Sequence, residues 1–288
     1  MLEESIVIDV SSSVGSQMME AVKSRRMVFV AGLPSAGKSF ILQQLTIMAG
    51  IEGRKVYSLQ WDDARRSFET EEALARFPEV DNLTHPAIRK AVGYWVRNAV
   101  VKWHAANPDP ANTLIVELPV MGGRFVELMQ QHDDEAENLL ASDQVIMFTP
   151  IPSVEVRAAI ENVRQETITN PRHELEAKDA PLYIVQAEWQ SVRQIYNQQN
   201  GIESDAKRDS IYDPEIYREV FLNLLRFRNY SILDIDQLYE VKGSAYERPV
   251  PVEVIEAEEA DIKASYERLD IEFPGEKAER AIDDWANY

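Results

Sequence analysis

Residues 32–39 read GLPSAGKS and carry the most specific chemistry in the sequence. They match the pattern G-x-x-x-x-G-K-[ST], in which Gly32 and Gly37 let the backbone bend and approach an anion closely. The N–H groups of such a turn point at phosphate oxygens. In this pattern the ammonium of Lys38 neutralises the β- and γ-phosphates, and the hydroxyl of Ser39 ligates Mg²⁺.

The pattern therefore predicts a bound nucleoside triphosphate, ATP or another, together with Mg²⁺. Lys38 is also a predicted catalytic residue, because its charge acts on the phosphates. The predicted nucleotide-binding residues form one run: Gly32, Leu33, Pro34, Ser35, Ala36, Gly37, Lys38, Ser39 and Phe40.

The elements that must position this turn are a strand before it and a helix after it, and the sequence supplies both. Short β-like runs alternate with longer helical patterns, which is typical of parallel βαβ units. Five runs are rich in Val, Ile, Leu or Phe, as strands covered on both faces should be. They are residues 27–31, 55–60, 112–118, 144–148 and 230–235. We predict an α/β fold with a doubly wound, mostly parallel five-stranded sheet.

Two carboxylates follow the second predicted strand. Asp62 and Asp63 stand in the stretch LQWDDARR, and the carboxyl ends of parallel strands line the ligand crevice of such a sheet. A carboxylate there can accept a hydroxyl proton as that hydroxyl attacks the γ-phosphate. We favour Asp62 as this base, and Arg65 or Arg66 as a contact to an anionic group. The alternative is a helix N-cap followed by solvated arginines.

The third predicted strand, LIVEL, ends on the carboxylate of Glu117. At that position it could hold a Mg²⁺ water or bind the acceptor, so Ser39 and Glu117 are the predicted metal-site residues. The alternative is an exposed glutamate at a strand end. Gly122-Gly123 predicts a tight turn that could carry Arg124 into the cleft.

Other nucleotide-binding classes carry signatures that this sequence lacks. We find neither an apolar strand ending in paired acidic residues, as in motor ATPases, nor a Ser-Gly-Gly signature, as in ABC-type ATPases. The nearest approach to the Asn-Lys-x-Asp base reader of GTPases is Ala206-Lys207-Arg208-Asp209, with alanine in place of asparagine.

Together GLPSAGKS, LQWDDARR, LIVEL and the strand VIMFTPIP with its following arginine-bearing helix resemble the P-loop kinase group. That group includes nucleoside kinases, small-metabolite kinases and zeta-toxin-like kinases, and the resemblance covers roughly residues 26–240. It implies a lid over the phosphates, placed at about residues 153–217, with Arg164 as a catalytic lid contact. Arg157 and Arg172 are weaker candidates. By the same resemblance, the nucleobase of the bound nucleotide would lie near Tyr239, Glu240 and Val241.

Arg164, Arg157 and Arg172 also lie in the polar stretch after the fourth predicted strand, beyond the carboxyl end of the sheet. An arginine supplied there can stabilise charge on the transferred group. The alternative is a surface arginine held in an ion pair.

The bulk composition excludes several classes. A formal charge of −19 in 288 residues disfavours nucleic acid and anionic lipid as partners. The absence of cysteine excludes disulfides and thiolate metal sites and fits a cytoplasmic location. The acidic N-terminus is unlike a secretory signal, and no apolar stretch is long enough to span a membrane. The four histidines have no ligand spacing.

The composition shifts after Arg248. We predict a nucleotide-binding domain over residues 1–248 and an acidic helical extension over residues 249–288, with residues 253–259 opening that helix. A protein partner could bind through this acidic tail.

The sequence predicts an ATP-dependent phosphotransferase that moves the γ-phosphate to a hydroxyl of a small-molecule acceptor. Asp62 would be the base, Glu117 the metal or acceptor ligand and Arg164 the lid contact. Two alternatives stay open. One is a nucleotide-hydrolysing ATPase that acts as a switch or binds a partner, in which Asp62 orients water. The other is a binding module without turnover.

Overall fold

The computed structural model describes residues 2–80, 83–240, 243–275, 282 and 285–287. These residues form an α/β fold around one six-stranded sheet in which every strand pair is parallel. The strand order is β5-β4-β1-β3-β2-β6. The strands are β1 Met27–Ala31, β2 Lys55–Leu59, β3 Asn112–Leu118, β4 Val145–Pro152, β5 Tyr230–Ile235 and β6 Val252–Val254.

Eleven α-helices lie before, between and after these strands in the described part of the chain. They are α1 Ser13–Ser24, α2 Lys38–Ile51, α3 Trp61–Phe68, α4 Glu71–Arg76, α5 Pro86–Ala106, α6 Glu135–Leu140, α7 Val154–Thr169, α8 Leu182–Asn200, α9 Ala206–Asp209, α10 Pro214–Leu224 and α11 Glu259–Glu272. None of these described helices is both long enough and apolar enough to cross a membrane.

The central strand β1 shows why the apolar runs read as strands covered on both faces. Side chains alternate between the two faces of a strand, and every residue of β1 is buried. Phe29 packs into the hydrophobic cluster that includes α5, whereas Val28 and Val30 pack into a second cluster that includes α1 and α2. The sheet is therefore flanked by helices on both faces, as predicted.

Helix α5, Pro86–Ala106, follows a helical pattern in the sequence, in which apolar residues recur at three- and four-residue steps from Ile88 to Trp103 and form one apolar stripe. His85 caps its first turn, since the N–H of Ala87 donates to the imidazole Nδ1 at 3.1 Å, and Pro86 occupies the first turn, where a missing N–H costs nothing. The apolar stripe is buried in full, and Trp95 and Trp103 lie in the larger hydrophobic cluster. The stripe is core packing.

The prediction of five strands is wrong by one strand. Residues 252–254 form β6, which pairs with β2 in parallel, with Val56 opposite Val252. The residues predicted to open an acidic helix at 253 are therefore extended, and the helix begins only at Glu259. Strand β6 has only three residues, which are too few to show the apolar alternation that predicts a strand. The composition shift at Arg248 marks the point where the chain returns to the sheet.

The segment that leads into β6 packs closely against α2. Val250 is buried, and a Cβ added at Gly50 in α2 would lie 2.6 Å from a methyl carbon of Val250. No real Cβ contact is that short, and a buried β-branched side chain has little freedom to move away. Position 50 therefore needs glycine for packing, although alanine is the better helix former.

We expect Gly50→Ala to lower the free energy of unfolding by about 1–3 kcal/mol, the usual cost of overpacking a core. In a Val250→Ala background the same change should be close to neutral, because the clashing methyl groups are gone. Urea unfolding of the two single variants and the double variant measures this. Equal costs of Gly50→Ala in both backgrounds would show that the segment does not pack on α2.

Candidate functional site

Residues 32–39 connect β1 to α2 and close around the ammonium of Lys38. Gly37 has a φ of 86°, in the left-handed region that favours glycine, and it directly precedes the first residue of α2. The Lys38 side chain is only 8% exposed. Its Nζ donates to the carbonyl oxygen of Leu33 at 3.0 Å, so the turn holds its own cation.

A carboxylate from β3 faces this cation. The Oε1 atom of Glu117 lies 3.9 Å from Lys38 Nζ, and the Glu117 side chain is 18% exposed. Burial lowers the pKa of Lys38 and raises the pKa of Glu117, and each group offsets part of the other's shift. Burial thus outweighs the attraction, and an anion added beside Lys38 would stabilise the ammonium further.

Two predicted arginines lie within electrostatic reach of Lys38, because the charges of Arg124 and Arg164 both lower its pKa. Arg124 follows the tight turn at Gly122 and Gly123, both of which have positive φ, as the sequence predicted. Its Nε donates to the Met121 carbonyl at 2.8 Å, and its Nη2 pairs with Glu188.

Arg164 lies on α7, and its Nη1 is 3.2 Å from Asp179 Oδ1. The fold thus gathers one lysine and two arginines from three separate elements.

Asp62 and Asp63 occupy the first turn of α3, directly after β2. Gln60 is the N-cap residue, so neither aspartate caps the helix. The Asp62 side chain is 64% exposed and accepts from Arg65 Nε at 2.9 Å. Its charge raises the pKa of Glu117, which puts the two carboxylates within electrostatic reach.

Burial raises the pKa of Asp63, and Arg66 Nη1 lies 3.5 Å from its carboxylate. Both predicted contact arginines, Arg65 and Arg66, are therefore held in ion pairs.

A cavity of about 850 Å³ opens beside the turn. Residues 35–41 form one wall and α7 forms another. Tyr246, which follows β5 in the sequence, also lines the cavity. The hydroxyl of Ser35 is buried in the turn and has no hydrogen-bond partner among the described residues. Asp62 and Glu117 do not line this cavity, so Lys38 stands between a cavity and a group of carboxylates.

Part of the cavity lining is apolar. Val156 and Ile160 of α7 line it, and the ring of Phe40 stacks on Tyr239 with centroids 5.2 Å apart. Glu240 also lines it. A nucleobase could stack on an aromatic ring and contact apolar side chains here. Val241, the third residue named for a base, lies outside the described residues.

The two weaker lid candidates differ in position. Arg172 lines the cavity and lies 4.0 Å from Glu176. Arg157 does not line it: its guanidinium is buried, packs over the ring of Tyr212 at 4.4 Å and bonds to Glu161. The interpretation of Arg157 as a lid contact is therefore wrong, because helical spacing turns its side chain into the core.

Tyr217 of α10 belongs to no sequence motif that would have selected it. Its hydroxyl accepts the N–H of Leu33 at 2.9 Å, and its side chain is 0% exposed. A Cβ on Gly32 would lie 2.5 Å from that hydroxyl, so Gly32 is needed for this approach. Tyr217 thus fixes the first bend of the turn from 184 residues away. No local pattern could have revealed this contact.

Arg248 is a second residue that the sequence analysis missed. Its charge lowers the pKa of Glu117, and burial lowers its own pKa. It donates to the carbonyl oxygens of Ala245 and Glu247 at 3.0 and 3.3 Å. It adds a positive charge on the Glu117 side of Lys38.

The residues present suit an anion with a metal ion better than a metal ion alone. Within the described ranges no three histidine or carboxylate side chains come close enough together to hold a metal. Ser39 and Glu117 would supply at most two ligands, so most of the coordination of Mg²⁺ would come from phosphate oxygens and water, as that ion prefers.

We expect Tyr217→Phe to lower the free energy of unfolding by about 1–3 kcal/mol, because the buried N–H of Leu33 loses its acceptor. The measurement is urea unfolding followed by circular dichroism. Tyr230→Phe, at a more exposed tyrosine of β5, is the matched control and should change the value by less than about 0.5 kcal/mol. A loss no larger than that of the control would contradict the role given to the Tyr217 hydroxyl.

Comparisons of the chain with models of protein families, with curated protein sequences and with solved structures return no match. The assignment of function therefore depends on the motif, the geometry of the turn and the groups gathered around it.

Proposed function

We propose that this chain is an ATP-dependent phosphotransferase that moves the γ-phosphate of a nucleoside triphosphate to a hydroxyl of a small molecule. The observation that carries the proposal is the turn itself. It combines a buried ammonium, a buried Ser35 hydroxyl that has no partner among the described residues, and a neighbouring cavity of about 850 Å³, a volume typical of small-molecule and cofactor sites. This combination is costly in a protein that binds no anion.

The proposed phosphoryl donor, the nucleoside triphosphate, lies with its phosphates along residues 32–39. Its nucleobase lies against the apolar residues of the cavity lining. Lys38 neutralises the phosphates, and Arg164 contacts them from α7. Ser39 would hold Mg²⁺, with Glu117 nearby, and the ion would supply positive charge that neutralises the phosphates. The resemblance to the P-loop kinase group supports the same arrangement.

The proposed acceptor lies on the side of Lys38 where Asp62, Glu117, Arg124 and Arg248 meet. Asp62 is exposed, and its carboxylate can accept the proton of the attacking hydroxyl. Arg124 and Arg248 offset the negative charge of Glu117 and attract an acceptor that carries an anionic group. A small hydroxylated anion therefore fits this side best.

The second candidate function is nucleotide hydrolysis, with Asp62 orienting water. The high exposure of Asp62 favours it, because solvent water reaches a carboxylate that is 64% exposed. Incubation with γ-labelled ATP, Mg²⁺ and a pool of cell metabolites separates the two. Label in a small organic product supports transfer, label only in inorganic phosphate supports hydrolysis, and no release supports a binding module.

The nucleotide site is tested by Lys38→Met, which keeps the length of the side chain and removes its charge. We expect the affinity for Mg·ATP to fall by about 10- to 100-fold, since a hydrogen bond to a charged group contributes about 1.5–3 kcal/mol. Calorimetry gives the affinity, and Lys263→Met, at an exposed lysine of α11, serves as the control. Binding that is equal in wild type and Lys38→Met would rule out the phosphate role of the turn.

The proposed role of Asp62 as general base is tested by Asp62→Asn. Transfer should fall by about 10²- to 10⁴-fold with ATP affinity unchanged, because the amide keeps the shape but accepts no proton. Asp63→Asn is the matched control one residue along and should reduce transfer far less. Undiminished transfer in Asp62→Asn would remove Asp62 from the mechanism while leaving nucleotide binding intact.

A further inference from the structure

The segment of residues 243–248, here called the strap, lies between β5 and β6 in the chain and forms part of the cavity wall. Helix α2 holds it from below. Gln43 of α2 donates to the carbonyl oxygens of Ser244 and Glu247 at 2.8 and 3.0 Å, and Val250 packs against the same helix just after the strap. The strap is therefore fixed to the helix that follows the phosphate turn.

A second segment of the cavity wall lies between α7 and α8, within the predicted lid. Residues 172–179, here called the flap, line the cavity through Arg172, Glu176 and Asp179. Glu176 is only 4% exposed, and its Oε2 atom accepts the N–H groups of Arg172 and His173 at 2.6 and 3.3 Å. The flap is thus folded around one buried carboxylate.

Three side-chain contacts join the strap to the flap, and we call them the clasp. The hydroxyl of Ser244 donates to the Oε1 atom of Glu176 at 2.7 Å. The hydroxyl of Tyr246 donates to the Oδ1 atom of Asp179 at 2.5 Å. The rings of Tyr246 and His173 stack with centroids 6.0 Å apart. Helix α2, the strap and the flap therefore form one connected wall of the cavity.

The clasp also reaches Arg164, the proposed phosphate contact on α7. The Oδ1 atom of Asp179 that accepts from Tyr246 lies 3.2 Å from Nη1 of Arg164, and all three side chains line the cavity. Ser244 differs from them, because it is 0% exposed and does not line the cavity. One half of the clasp therefore faces the ligand space, and the other half lies behind it.

We propose that the strap is the fixed part on which the flap docks, and that the clasp keeps the cavity closed around a bound nucleotide. The proposal rests on the proposed function, which places a nucleotide in this cavity. The flap has to leave the strap before the ligand can leave, so the clasp sets the rate of release. The strap lies outside residues 26–240, which the resemblance to the P-loop kinase group covers, so this role is argued from the contacts of this chain alone.

The chemistry of the clasp supports this role. Both of its hydrogen bonds end on a carboxylate, and bonds to an ionised group are stronger than those between neutral groups. Burial alone would raise the pKa of Glu176, but the hydrogen bonds from Ser244 and from the N–H groups of Arg172 and His173 lower it overall. Glu176 is therefore ionised at neutral pH and accepts from the strap and the flap together.

The test is the rate at which the protein releases a fluorescent N-methylanthraniloyl derivative of the β,γ-methylene analogue of ATP, bound with Mg²⁺ and displaced by unlabelled analogue in a stopped-flow instrument. Ser244→Ala should raise this rate by about tenfold or more, since a hydrogen bond to a charged group changes an equilibrium by about 10- to 100-fold. Ser244 does not line the cavity, so the effect cannot come from a lost ligand contact. Ser24→Ala, at an exposed serine of α1, is the control and should release as wild type.

A double-variant cycle with Glu176→Ala separates the clasp from a general loosening of the strap. Glu176→Ala should also speed release, and adding Ser244→Ala should then change the rate no further. If Ser244→Ala has its full effect in the Glu176→Ala background, Ser244 does not act through the flap and the proposal fails. Release at the wild-type rate in Ser244→Ala alone would overturn it as well.

Amide hydrogen exchange measured without nucleotide is the second readout, because it reports opening of the flap independently of binding. Residues 172–179 should exchange faster in Ser244→Ala than in wild type. Faster exchange with unchanged release would show that the contact exists but does not retain the ligand, which overturns the proposal. If wild-type protein binds the analogue and all variants release it equally fast, only this proposal fails. If wild-type protein binds no nucleotide, the proposed function fails with it.

Discussion

The burial of the Lys38 ammonium is the constraint on which the rest of the site depends. A charge removed from water must be met by nearby acceptors, and here these are the Leu33 carbonyl and the Glu117 carboxylate. Neither fully replaces water, since burial still lowers the pKa of Lys38. The fold therefore keeps a cation at the carboxyl end of its central strand in a state that a polyanion would stabilise.

Holding that cation requires contacts from elements far apart in the chain. Tyr217 of α10 accepts the Leu33 N–H, and Tyr246, from the segment between β5 and β6, lines the cavity beside the turn. Both tyrosines supply a hydroxyl at the end of a rigid ring, which places a polar atom with few free rotations. The turn is thus held at its first bend by Tyr217, while the Ser35 hydroxyl in its middle has no partner among the described residues.

The parts that the sequence predicted are those with local patterns. The glycine spacing of residues 32–39, the apolar run of β1 and the stripe of α5 each follow from neighbours in the chain. Tyr217 and Arg248 could not be found in this way, because each acts on a residue far away in the chain, Leu33 and Glu117 respectively, and a phenol has no local signature. β6 was missed because three residues are too few to show alternation. Arg157 was misjudged because its charge suggested solvent, whereas the ring of Tyr212 stabilises it in the core.

Strand β6 also changes which backbone groups are exposed at this edge of the sheet. Without β6, the strand that leads to Asp62 would offer its backbone N–H and C=O groups to any extended peptide. With β6 in place, the outermost strand on this side is only three residues long and carries Glu253 beside Lys55. Short, charged edge strands are poor templates for pairing with a strand of another chain. The acidic segment therefore shields the sheet from self-association at the side nearest its carboxylates.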